Sequence, residues 1–270
     1  MLLNGVLVPV ATLPLPNRGL TFGDGFFETL IVIDGHLRFA AAHVARMQQA
    51  AAALHLELPT ALASADVLTK TLMQLAEAAG LPVSRIRLQV WRGGGGLYTP
   101  ETDAAAWLAT AITFEPNASP VTAADFALNT YSVYSPLSFC KGPQAWLYVR
   151  AAHERQQRGL DEIILCDAAG NVAEAGAAAI FWVKDNVLFT PALETGCVAG
   201  VRRAALLQHA QEAGLEYRVG LFGKEHLLAA DFVFTANVAA VRLVQRIGEN
   251  TYVAPAAHTA TGAFIAGQGS

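Results

Sequence analysis

Charge is scarce in this chain: only 15% of its 270 residues are Asp, Glu, Lys or Arg, while 53% are hydrophobic. So apolar a composition excludes a disordered polyelectrolyte and predicts a chain that buries a large core. The formal net charge of −4 comes without a basic cluster, which removes the electrostatic footprint of a nucleic-acid binder. Cysteine is scarce too. Cys140, Cys166 and Cys197 are odd in number and far apart, so they predict neither a disulfide framework nor a zinc-ligand pattern, and no metal site is expected. Buried thiols in a reducing cytoplasm are the expectation instead. Long apolar runs are also missing, none approaching the length that spans a bilayer. The opening Met1-Leu2-Leu3-Asn4-Gly5 has no basic region ahead of an apolar one and does not read as a signal peptide. A cytoplasmic protein without a membrane partner is expected.

What the chain does contain is a succession of strand and helix patterns. Residues 28–39 read as a hairpin around Asp34-Gly35, a dipeptide suited to the positive φ values of a type I′ turn. A helical pattern follows over about 40–54, with Val44, Met47 and Ala51 on one face, and a second over about 65–79. Strands are predicted over 85–91 and 106–114, on either side of the loop Arg92-Gly93-Gly94-Gly95-Gly96. The prolines and turn formers of Glu115-Pro116-Asn117-Ala118-Ser119-Pro120 mark a linker. Beyond it, strands are predicted over 126–133, 162–166, 178–183 and 232–235, and helices over 144–158 and 201–213. The reading is therefore α/β, with two mixed α/β domains: an N-terminal domain over 1–115, a linker over 116–124 and a C-terminal domain over 125–270. Domain junctions commonly hold small-molecule sites, so the site is expected in the cleft between them.

Lys141 ends the apolar run Ser135-Pro136-Leu137-Ser138-Phe139-Cys140, which reads as strand-like, just before the 144–158 helix. An amine at the lip of a core is desolvated, which lowers its pKa and suits it to attack an aldehyde. Taken alone, the residue reads as a lysine snorkelling to water.

The order of motifs along the chain changes that weighing. Arg18-Gly19-Leu20-Thr21-Phe22-Gly23-Asp24-Gly25-Phe26-Phe27-Glu28-Thr29 is followed by His43-Val44-Ala45-Arg46-Met47, Lys141 and Gly170-Asn171-Val172-Ala173-Glu174. Ile180-Phe181-Trp182-Val183, Gly200-Val201-Arg202-Arg203 and Thr235-Ala236-Asn237 complete the series. Over nearly its whole length the chain resembles the class IV aminotransferases, the fold type IV pyridoxal 5'-phosphate (PLP) enzymes, which have the D-amino acid aminotransferase-like architecture. The resemblance implies a homodimer that uses PLP. It makes Lys141 the residue that bonds the cofactor and then moves protons at the substrate carbon. It makes Glu174 the carboxylate that keeps the pyridine nitrogen protonated, so that the ring accepts electrons. Arg46 becomes the phosphate-binding arginine. The start of the helix at Val201 and Arg202 supplies amides and a positive dipole end for the same phosphate, with Asn237 as a further donor.

Two positions depart from the family pattern. Ala179 stands where many relatives have asparagine, and Trp146 replaces the tyrosine with which branched-chain enzymes bond the cofactor's phenolic oxygen. Gly23-Asp24-Gly25 and Glu28-Thr29 resemble the 4-amino-4-deoxychorismate lyases and D-amino acid enzymes more than the branched-chain group. The Arg92–Tyr98 loop lacks the arginine-to-histidine pair with which D-amino acid enzymes hold a carboxylate, and it resembles the glycine-rich loop of the lyases. The resemblance thus points to a lyase that releases pyruvate to give 4-aminobenzoate for folate synthesis. Phe27, Arg92 and Tyr98 are expected on the substrate side, and Arg87 is a further candidate for a substrate carboxylate. The alternative is an aminotransferase acting on a D- or branched-chain amino acid or a small amine with a 2-oxo acid. More remote is a non-catalytic PLP-binding member, since a merely structural site needs no electron sink.

Overall fold

The computed structural model describes residues 1–143, 145–255, 262–264 and 267. The chain falls into two compact units, Met1–Glu115 with Cys140–Pro143, and Pro116–Phe139 with Gln144–Ser270. The division at residue 115 comes with a correction: the segment carrying Lys141 returns to the first unit, whereas a linear reading puts it in the second. The predicted linker is not free chain throughout either. Val121 bonds Leu243 through its backbone, and Ala124 already belongs to a strand.

The first unit runs β1 (Leu2–Leu3), β2 (Val6–Leu7), α1 (Arg18–Phe22), β3 (Gly25–Ile33), β4 (His36–Leu37), α2 (Ala40–Ala53), α3 (Ala65–Ala78), β5 (Ser84–Arg92) and β6 (Ala105–Thr113). Its sheet has the order β2-β1-β6-β5-β3-β4 with antiparallel pairing throughout. The hairpin turn adopts positive φ at both Asp34 and Gly35, as a type I′ turn requires. Strand β5 alternates strictly, with Ile86, Leu88 and Val90 buried while Arg85 and Gln89 are exposed, the pattern of a sheet covered on one face. Helices α2 and α3 pack on each other and on the sheet. Helix α3 starts where the Ser64 side chain accepts from the Val67 amide.

The second unit contains β7 (Ala124–Phe126), α4 (Ala145–Gln157), β8 (Glu162–Cys166), β9 (Val172–Ala175), β10 (Ala179–Lys184), β11 (Val187–Pro191) and α5 (Val201–Glu212). It ends with β12 (Tyr217–Gly220), α6 (Lys224–Leu228), β13 (Phe232–Ala236), β14 (Val241–Val244), β15 (Arg246–Ile247) and β16 (Asn250–Thr251). Two sheets result, β12-β11-β10-β13-β14 and β16-β15-β7-β8-β9. The unbroken apolar run of β10 has a structural cause, because both of its faces are covered. Ile180 and Trp182 join a core with Ile164 and Val172 of the other sheet, while Phe181 and Val183 pack with Leu206 and Ala210 of α5. Helix α4 lays Leu147 and Ala151 on Ile163 and Leu165 of β8.

Two expectations change. The strand expected over 126–133 ends at Phe126, because the Glu154 carboxylate takes the amides of Leu128 and Asn129 in place of a neighbouring strand. The run 135–140 is a series of turns rather than a strand, with the Ser138 amide returning to the Ser135 carbonyl. The predicted first residue of α4, Gln144, lies outside the described residues. Cys140, Cys166 and Cys197 are buried and free, and burial pushes each thiol up to about 11. Among the described residues no helix is long and apolar enough to cross a membrane.

Candidate active site

The first unit brings Lys141, Phe27, Glu28, His43 and Arg46 into one neighbourhood. The Lys141 carbonyl accepts from the Phe27 amide at 2.9 Å, seating the lysine segment on β3. Gly142 makes that approach possible. Its φ is +139°, and a Cβ there would lie 2.9 Å from the Phe26 Cα and 3.0 Å from the Gly25 carbonyl oxygen. The Lys141 side chain is half-buried, and its charge reaches His43.

Behind the lysine lies a buried cluster. The Arg46 guanidinium grips Glu28 through two edges, Nε to Oε1 at 2.7 Å and Nη2 to Oε2, while His43 Nδ1 meets Oε2 at 2.8 Å. Burial alone would raise the Glu28 pKa, but Arg46 and His43 outweigh it and hold the carboxyl at about 2. Ionised Glu28 therefore accepts a hydrogen bond from the His43 Nδ1–H, and burial keeps the imidazole pKa below its ordinary value. The fork fixes the plane of the Arg46 guanidinium, leaving its Nη1 side as the one turned away from Glu28. Glu28 and His43 lie within motifs read from the sequence, but neither was assigned a role in the site. The signal was present in a charge at the head of the apolar run Thr29-Leu30-Ile31 and in His43 one turn before Met47 on an apolar helix face. Two such polar groups in packed elements have to meet.

The sign of the Glu28 shift gives a prediction. A carboxyl depressed from 4.5 to about 2 adds stability above pH 4.5, and that stability is lost as pH falls toward 2. Urea unfolding at pH 7 and pH 3 is expected to show wild type losing stability, by about 2 kcal/mol from this group. Glu28→Gln is expected to start less stable and to lose less. Equal acid losses in the two proteins would contradict the pairing.

Arg92 has another task than the one expected of it. Its Nε donates to Asp24 at 2.9 Å, and Nη1 to the His55 carbonyl at 2.9 Å and to Asp103 at 2.6 Å, while Nη2 reaches the Leu54 carbonyl. With its donors engaged and 5% exposure, this arginine braces the first unit and does not present itself to a substrate carboxylate. Arg18 shares Asp24 and holds the glycine loop through the carbonyls of Gly95, Gly96 and Leu97 at 3.2, 3.1 and 2.6 Å. Tyr98 leaves that loop 92% exposed, its ring 5.7 Å from that of Phe22, so the first unit does not enclose it. Arg87 shares the half-exposed face of β5 with Arg85. Its guanidinium carbon lies 3.2 Å from the Phe27 ring centre, and among the described residues it has no carboxylate partner.

The second unit carries the remaining candidates. Glu174 is buried in β9 between Ala173 and Ala175. Its Oε1 accepts from the Tyr148 hydroxyl at 2.6 Å and its Oε2 from the Val198 amide at 3.3 Å. Trp146 is 60% exposed, so it is Tyr148, two residues on, that reaches the carboxylate. Gly200 opens α5 without a side-chain cap, and Val201 and Arg202 are buried in the first turn. An uncapped helix start of this length is a ready anion site. Asn237, predicted as a phosphate donor, closes a turn: its amide nitrogen donates to the Ala177 carbonyl at 3.1 Å, and its oxygen accepts from Ala239 and Ala240 at 2.9 and 3.2 Å. Ala179, in place of asparagine, pairs with Ala236 through the backbone of β10 and β13.

The family model for class IV amino-transferases matches residues 25–247. The chain belongs to that family. It is 28% identical over 248 residues to an aminodeoxychorismate lyase of Vibrio harveyi, a match spanning 87% of this chain and 86% of the relative. It is 27% identical to a D-alanine aminotransferase of Bacillus licheniformis, over 89% of this chain and 85% of that one. The solved 4-amino-4-deoxychorismate lyase of Pseudomonas aeruginosa superposes with a TM-score of 0.83 at 26% identity, covering 98% of this chain and 96% of that one. The fold is therefore the mixed α/β architecture of fold type IV enzymes, whose members are PLP-dependent lyases or aminotransferases. The residues described above fit that cofactor. A carboxylate suits a protonated ring nitrogen, an amine an aldehyde, and an arginine with the start of a helix a phosphate.

Proposed function

We propose that this chain is a PLP-dependent 4-amino-4-deoxychorismate lyase. The observation that carries the reading is the loop after β5. Its one arginine, Arg92, is turned inward onto Asp24 and backbone carbonyls, and no histidine follows it. A carboxylate trap of the D-amino acid kind has nothing to build on there. The similarity to lyases of Vibrio and Pseudomonas over most of the chain supports the same choice.

In this reading Arg46 and the amides at Val201 and Arg202 hold the phosphate, and Glu174 holds the proton on the ring nitrogen. PLP, when bound, supplies the aldehyde that takes the substrate's ring amine and a ring that accepts electrons. The Lys141 amine removes the proton from the ring carbon bearing that amine. The bond from the ring carbon to the enolpyruvyl oxygen then breaks, the departing enolpyruvate takes up a proton to become pyruvate, and the remaining ring becomes aromatic 4-aminobenzoate. Arg87, held flat on Phe27, meets a substrate carboxylate from the open face of the first sheet.

An aminotransferase is the second reading, favoured by the D-alanine aminotransferase of similar identity. Turnover separates the two. An elimination regenerates the cofactor's aldehyde in every cycle, whereas an amino-group transfer stops after one turnover per site until a 2-oxo acid arrives. With aminodeoxychorismate and no 2-oxo acid, many turnovers giving equal 4-aminobenzoate and pyruvate are expected. An inert aminodeoxychorismate, with D- or L-amino acids giving a single turnover per site, would sink the lyase reading.

A further inference from the structure

The second unit surrounds Glu174 with a set of partners more specific than burial requires. Tyr148 donates to Oε1 at 2.6 Å from α4, and the Val198 amide donates to Oε2 at 3.3 Å from the segment before α5. Cys197, a thiol kept neutral by burial, and Arg203 of α5 also feel the Glu174 charge. Arg203 directs Nη2 to the Pro191 carbonyl at 2.8 Å. The phenol is a short, polar side-chain contact of the carboxylate. It is also held in place, since the neighbouring Leu147 and Ala151 fix the pitch of α4 against β8 and Tyr148 packs on the edge of that cluster.

We infer that Tyr148 is a positioning residue for Glu174: its phenol fixes the rotamer of that side chain and keeps the carboxylate ionised in a place where burial favours the neutral acid. A hydrogen bond to the charged form of a carboxylate stabilises that form, and short O–H to carboxylate bonds are among the stronger ones. The consequence for catalysis rests on the reading that Glu174 faces the cofactor's ring nitrogen. A carboxylate held ionised leaves the shared proton on the ring, which then remains an electron sink. Without the phenol, the proton shifts toward Glu174. Trp146, although it stands at the family's tyrosine position, has no part in this.

The test uses the full chain with 13C-labelled glutamate carboxyls, the Glu174 signal being assigned by its loss in Glu174→Gln. Tyr148→Phe removes one oxygen and leaves the packing ring. Before cofactor is added, its Glu174 titration midpoint is expected about one pH unit above wild type, the effect of losing one bond to a charged group. A fluorinated tyrosine at position 148, with its more acidic phenol, is expected to lower the midpoint instead, and it serves as the second variant should Tyr148→Phe fold poorly. Midpoints that coincide with wild type in these variants overturn the inference. Addition of PLP then separates it from the reading beneath it. A Glu174 signal that moves on binding supports both. One that ignores PLP after the Tyr148 shift has appeared overturns the placing of Glu174 at the ring, and with it the catalytic consequence, while the Tyr148–Glu174 coupling stands. In the loaded enzyme the acid limb of kcat/KM is expected to move up in Tyr148→Phe by the same amount as the midpoint. A lower rate with an unmoved limb would mark a merely structural role.

Discussion

Lys141→Ala is expected to lower turnover about ten-thousand-fold or more while the chain folds as before. The size follows from two losses at once, the covalent anchor and the proton carrier at the substrate carbon. The tolerance of the fold follows from how the segment is held. The backbone bond from Phe27 to the Lys141 carbonyl and the seat of Gly142 on Phe26 both remain when the side chain is shortened. The lysine side chain is half-buried and not among the core residues. Circular dichroism and urea midpoints close to wild type, with turnover gone, would match this account. A variant that keeps a tenth of its activity would place the chemistry on another residue.

On the proposed function, Glu174→Gln is expected to keep affinity for PLP, because Arg46 and the start of α5 would hold its phosphate. Its rate of proton removal should fall by about ten-thousand-fold, roughly 5.5 kcal/mol of transition-state stabilisation. The amide preserves shape and its oxygen still accepts from the Tyr148 hydroxyl, while the charge and the acceptor for the Val198 amide are lost. An amide cannot hold a proton on a ring nitrogen as a carboxylate does. A variant with wild-type turnover would mean that the carboxylate is not at the ring.

Much of this architecture was legible because the signals are local. Asp34-Gly35 and Asp185-Asn186 mark hairpins by their chemistry, and all four residues do adopt positive φ. The apolar stripe of Val44, Met47 and Ala51 is buried as its spacing requires. What stayed hidden depends on partners far apart in sequence. Arg92 looks free for a substrate until Asp24, Leu54 and His55 fold onto it. Glu28 and Arg46 are 18 residues apart, and Tyr148 and Glu174 are 26. No periodicity links such residues. The run 135–140 misled in another way, since its apolar character reflects burial of Phe139 and Cys140 in turns and not a strand. The order of family motifs marked Lys141, Glu174 and Arg46, but the side chains that support them are visible only in the fold.

The measurement that bears most directly on all of this is reduction of the PLP-loaded protein with borohydride, followed by mass mapping of the modified peptide. The account predicts one cofactor adduct per chain, on Lys141, and none on Lys141→Ala. An adduct on Lys70, Lys184 or Lys224 instead, or no adduct at all, would contradict it.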